Sequence, residues 1–68
     1  MRRFELHRDV DVSGVSGTGH VASGVVFDDG KVCVRWNGRH RSMVLWDSID
    51  AVLAVHGHGG ATRLVWID

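Results

Sequence analysis

Val25-Val26-Phe27-Asp28-Asp29-Gly30-Lys31-Val32-Cys33-Val34-Arg35-Trp36-Asn37-Gly38 reads as strand, tight turn, strand and second turn. Asp-Gly and Asn-Gly supply the positive-φ positions that hairpin turns need. Between the turns, Val32, Val34 and Trp36 fall on one face and Lys31, Cys33 and Arg35 on the other. That period-2 alternation is the mark of a half-buried strand. The same pattern recurs on both sides of this hairpin. Phe4 and Leu6 alternate with Glu5 and His7, predicting a first strand over Phe4 to Arg8. A second strand is expected over His20 to Phe27, a third over Lys31 to Trp36 and a fourth over Ser42 to Trp46.

The period then changes. Ile49, Val52, Leu53 and His56 follow i, i+3, i+4, i+7, a helical face about two turns long. Asp47 or Ser48 can cap its start, and Asp50 suits the first turn. Gly57 is expected to end it in the left-handed conformation. A fifth strand over Ala61 to Ile67 sets Leu64 and Trp66 against Arg63, Val65 and Ile67. The order predicts an all-β fold with one short helix: a small five-stranded SH3-like barrel with the helix before the last strand. Residues 1–68 read as a single domain, with no proline and no linker. Such a fold hosts peptide, nucleic-acid and small-ligand binders alike, so it does not give function.

Sixty-eight residues bury only about 60% of their unfolded surface, so a lone domain of this size is marginal. Small scaffolds add disulfides, a metal or a partner subunit. Cys33 is the only cysteine, which excludes an intrachain disulfide and fits a reducing cytoplasm or a cysteine that is simply core. Apolar residues make up 44%, and several strands are apolar on both faces, notably Met43-Val44-Leu45-Trp46 and Leu64-Val65-Trp66-Ile67. A homo-oligomer is the expectation; the alternative is that the helix and the long first loop cover the second apolar set. Zero formal net charge disfavours an electrostatic grip on long nucleic acid. Met1-Arg2-Arg3 has no apolar run after it, and no stretch approaches the ~20 residues of a membrane span. A cytoplasmic protein without membrane contact is the expectation.

Two glycine-rich stretches hold six of the nine glycines: Ser13-Gly14-Val15-Ser16-Gly17-Thr18-Gly19-His20 and His56-Gly57-His58-Gly59-Gly60. Backbone N–H groups of the first can form an anion-binding nest, with Ser13, Ser16 and Thr18 adding hydroxyls. The alternative is a structured connection between strands. No Lys-Ser/Thr follows the glycines and no βαβ unit surrounds them, which excludes a Walker loop and a dinucleotide fingerprint. His56 and His58 are close in sequence, yet one cysteine and scattered histidines are a weak zinc signal, and no metal or cofactor is expected. His58 and Gly59, with Arg63 just beyond, could contact a phosphate instead. Trp36, Trp46 and Trp66 read as core, although Trp36, beside Asn37-Gly38, could stack on a base. Ser13 or Ser16 with His20 and Asp11 has triad residue types without triad geometry, so no catalytic set is expected.

The Ser13–Gly19 and His56–Gly60 motifs, with Val25–Gly30 and Trp46-Asp47-Ser48-Ile49, resemble a group of small proteins of actinobacteria, haloarchaea and their phages. The likeness covers nearly the whole chain and implies a phage setting. Small phage proteins without catalytic motifs are often inhibitors or sequestering proteins directed at host defence. The residues and that setting together lead to the expectation of a non-enzymatic, homo-oligomeric protein that binds an anionic nucleotide or cyclic nucleotide. Its ligand site would comprise Ser13, Gly14, Ser16, Gly17, Thr18, Gly19, His20, Trp36, His58, Gly59 and Arg63. The alternatives are a nucleic-acid or protein-interaction module using Lys31, Arg35, Arg39, His40 and Arg41, and a structural phage component.

Overall fold

In the computed structural model, which describes residues 1–9, 18–57 and 60–68, the chain runs β1 (Arg2–Arg8), β2 (Gly19–Val26), β3 (Val32–Trp36), β4 (Met43–Trp46), α1 (Ile49–His56) and β5 (Thr62–Trp66). All strand pairs are antiparallel, in one sheet of order β4-β3-β2-β1-β5. The expected strands and the helix before the last of them are present. Their ends move by a residue or two, most at β1, which starts at Arg2 because Arg2 and Arg3 pair with Val26 and Val25. The expected barrel is not closed. β4 and β5 lie at opposite edges of the sheet and do not pair with each other.

Alternation decides which side chains go inside. Phe4 and Leu6 of β1, Ala22 of β2, and Val32 and Val34 of β3 are fully buried on one face. Val52 from α1 joins them, and Val26, Trp36, Trp46, Ile49 and Leu64 pack around the cluster. Each fully buried aliphatic or aromatic side chain stabilises by roughly 1.5–3 kcal/mol relative to exposure. Trp66 meets Phe4 edge-on at 5.8 Å, and the Arg2 guanidinium lies 3.8 Å from the Trp66 ring centroid. Gly24 sits opposite Phe4 in the ladder, and a Cβ there would overlap the Phe4 ring. This strand glycine makes room for the largest core side chain.

Local chemistry sets the ends of the elements. The Asp28–Gly30 loop closes with Gly30 N–H donating to the Phe27 carbonyl at 2.9 Å, and Gly30 has φ +90° as the Asp-Gly signal requires. Ser48, not Asp47, caps α1: its hydroxyl accepts from Ala51 N–H at 3.1 Å. Gly57 corrects an expectation. It remains right-handed at φ −69°, ψ −27°, and its N–H donates to the Leu53 carbonyl at 2.8 Å. Glycine is needed there for space, because a Cβ would strike the Leu53 carbonyl oxygen. Among the described residues that follow, Gly60 has the positive φ (+98°), and the Gly57 carbonyl accepts from both Gly60 and Thr62 N–H. Cys33 is buried and unpaired, and Trp46 Nε1 is buried without an acceptor among the described residues.

Candidate functional site

Arg8 ends β1 and has Gly19 of β2 on one side and Thr62 of β5 on the other. Those partners lie at the exit of the first glycine-rich stretch and just after the second. The sheet therefore brings the described ends of both stretches to one place, around the end of β1. Asp9 N–H donates to the Ala61 carbonyl at 2.8 Å and extends the join. Arg8 follows Phe4 and Leu6 onto the inner face and is 2% exposed. Its Nε donates to Thr62 Oγ1 at 3.0 Å, and its guanidinium lies 5.9 Å from the Trp36 ring. No carboxylate among the described residues forms an ion pair with it. A buried guanidinium next to a neutral hydroxyl and a ring is costly without an anion to compensate it.

Trp36 is half-buried beside this arginine, and His56 meets it edge-on at 4.7 Å. His56 also meets Trp46 at 5.4 Å with the rings at 88°. Trp36 thus belongs to the packed inner layer while one side of it reaches the Arg8 end. A run such as Leu6-His7-Arg8 carries no ligand signature, so sequence reasoning missed Arg8. Its place in the Phe4, Leu6 alternation is the signal that could have found it, because a charge at a core-facing position is rare.

The opposite face carries a second polar group. Leu6 pairs with Ala22 but His7 pairs with His20, so Val21 is the extra residue of a β-bulge. Asn37 holds the bulge, its N–H donating to the Val21 carbonyl and its Nδ2 to the His20 carbonyl. The bulge turns His20 onto the face of His7, and the two rings stack at 5.3 Å and 12°. His7 Nε2 donates to Glu5 Oε1 at 2.9 Å, and His20 Nε2 lies 2.9 Å from Ser23 Oγ and 3.8 Å from Glu5 Oε2. The hydrogen bond from His7 holds the Glu5 carboxyl below its usual range, and the nearby imidazoles act the same way against partial desolvation. A carboxylate that orients one imidazole beside another is an acid–base arrangement. Arg63 pairs with His7 across β5 and forks onto Asp9, with Nε to Oδ2 at 3.2 Å and Nη2 to Oδ1 at 3.3 Å.

Of the predicted site residues, His20 and Arg63 thus flank His7 on one face. Trp36 lies on the other face, near Arg8. Thr18 precedes β2, and Gly19, with φ +81°, begins it. Ser13, Gly14, Ser16, Gly17, His58 and Gly59 lie outside the described residues. In the predicted basic ribbon, Arg35, Arg39, His40 and Arg41 are exposed and Lys31 pairs with Asp47 at 3.3 Å. No group of three His, Cys, Asp or Glu suited to a metal ion occurs among the described residues. No helix among them is long and apolar enough to cross a membrane.

No curated protein and no solved structure matches the chain. A family model described as Acb5 phage protein matches residues 1–68, the full length. The phage setting implied by the resemblance agrees with that match, and the chain belongs to the Acb5 phage protein family.

Proposed function

We propose that this phage protein binds and sequesters an anionic nucleotide or cyclic nucleotide of the host, without turnover, at the end of β1 where the described ends of the two glycine-rich stretches meet. One observation carries the reading: Arg8 is buried, is bonded to Thr62, and has no carboxylate among the described residues. A phosphate offers the bidentate anionic partner that guanidinium geometry matches. Trp36, with His56 against it, supplies a ring surface on which a base can lie. Glycine at the loop exits lets main-chain N–H groups approach the phosphate closely.

Calorimetry against a panel of cyclic di- and trinucleotides tests this. Binding by the wild type and a roughly 10- to 100-fold weaker affinity for Arg8→Gln are expected, the range set by losing a charged hydrogen bond. No binding by any member of the panel, or equal binding by a folded Arg8→Gln variant, overturns it.

The Glu5, His7 and His20 group favours a second reading, in which one imidazole takes a proton from water as its oxygen bonds to the phosphorus of a phosphodiester, and the other gives a proton to the ester oxygen that leaves. Chromatography of the nucleotide after incubation separates the two. Intact recovery supports sequestration. Cleavage products that disappear in both His7→Ala and His20→Ala support turnover.

A further inference from the structure

β4 is a four-residue edge strand with no lysine, proline or bulge among its residues. Natural edges are blunted by lysine, proline, a bulge or a covering segment. Met43-Val44-Leu45-Trp46 has no charge and no proline, and its ladder with β3 is regular. Met43 is 68% exposed and Leu45 78%. Beside them an apolar hollow of about 420 Å³ is lined by Phe27, Lys31, Val32, Leu45, Trp46 and Asp47.

The backbone says which groups are free. Trp36 N–H donates to the Ser42 carbonyl at 2.9 Å, so Ser42 turns its polar groups toward β3. Antiparallel ladders alternate, so Val44 and Trp46 also bond inward, whereas Met43 and Leu45 point N–H and C=O away from the sheet. A second strand can pair only with Met43 and Leu45.

The sequence around Val44 is complementary to itself when reversed. Met43 and Leu45 flank it. Arg41 and Asp47 lie beyond them, equally far from Val44 and of opposite charge. Arg41 is exposed, and the Asp47 side chain is exposed with Lys31 as its neighbour. A two-fold axis through Val44 would set Met43 opposite Leu45 of the partner subunit and Arg41 opposite Asp47 of the partner subunit, each twice. This register uses the free backbone groups and makes about four new ladder bonds. It also brings apolar and oppositely charged pairs together on one face, where each cross-strand pair adds to stability.

We propose that β4 is the seam of a homodimer, pairing antiparallel with β4 of a second copy with Val44 on the two-fold axis. The sheet then continues across both subunits. The partner's Met43 and Arg41 arrive at Leu45 and Asp47, two of the residues that line the hollow. Self-complementarity at a two-fold axis is the usual form of a symmetric interface. The inference is independent of any ligand.

Native mass spectrometry and cross-linking of the full chain test it. A dimer is expected at micromolar concentration. Arg41→Glu and Asp47→Arg should each weaken it by setting like charges together, and the double variant should restore it. Val44→Cys should form an intermolecular disulfide under mild oxidation faster than Met43→Cys or Leu45→Cys. Cα atoms of a non-hydrogen-bonded pair sit about 4.5 Å apart, within disulfide range. A monomer, or an oligomer indifferent to the charge reversals and to Val44→Cys, overturns the proposal. Pairing through the β5 edge would give that second result.

Discussion

A methyl group on Gly24 meets the Phe4 ring, and this one contact shows how tightly the inner face is filled. Alanine is ordinarily favoured over glycine inside a strand, since glycine loses more conformational freedom on folding. Here the steric term wins. Gly24→Ala should lose about 1–3 kcal/mol in urea unfolding, and combining it with Phe4→Leu should cost less than the sum of the two changes, because the smaller side chain makes room. Arg8 is the other residue whose role depends on a single neighbourhood. Its alternation with Phe4 and Leu6 could be read from the chain, but its lack of a carboxylate among the described residues could not. That depends on which residues β2 and β5 bring beside it, Gly19 and Thr62.

At the level of elements, α1 and the β1–β5 join have different weaknesses. Ser48 is the helix cap, so Ser48→Ala should lower stability by about 1 kcal/mol in the same unfolding experiment. The β1–β5 join continues past the strands: Ile67 N–H donates to the Arg3 carbonyl, and Arg3 bonds Asp68 through Nε at 2.9 Å and Nη2 at 2.7 Å. The Arg3 side chain first, then its backbone N–H, hold the Asp68 carboxyl down from 3.8 to about 2. A carboxyl with a lowered folded-state pKa contributes stability above its unfolded value and loses it as pH falls through the folded value. Asp68→Asn should therefore be less stable at neutral pH and show a shallower loss of stability as pH falls from 3.8 toward about 2. The pair is exposed, so the difference should be small and should shrink further in high salt, as acid titration followed by circular dichroism would show.

For the whole molecule, size is the controlling fact. A chain of 68 residues has one thin core and an open sheet, with apolar side chains left on both edge strands. Anything that binds only the folded form raises its apparent stability. If β4 pairs with a second copy, the thermal midpoint should rise with protein concentration, and Leu45→Lys should abolish that dependence while lowering the midpoint. Calorimetric scans over a hundredfold dilution measure both. A nucleotide that fills the Arg8 end should add a shift of its own, present in Leu45→Lys and absent in Arg8→Gln.

Strand and helix positions were legible in the chain because they rest on local periodicity and turn chemistry. Val32, Val34 and Trp36 could face only one way, and Gly30 was required at a positive φ. The phage setting came from the resemblance to a group of small phage proteins, with which the family match agrees. Three matters depended on tertiary structure. The Val21 bulge aligns His7 with His20, and a bulge is a property of the pairing of two strands rather than of either one. Gly57 stays right-handed because its N–H continues the helical ladder to the Leu53 carbonyl, and among the described residues beyond it the positive φ falls at Gly60. The meeting of Gly19 and Thr62 around Arg8 follows from the return of β5 to the far side of β1, a contact between residues more than half the chain apart. Local preference acts over a few residues, whereas such a contact is set by how the whole sheet buries its apolar face.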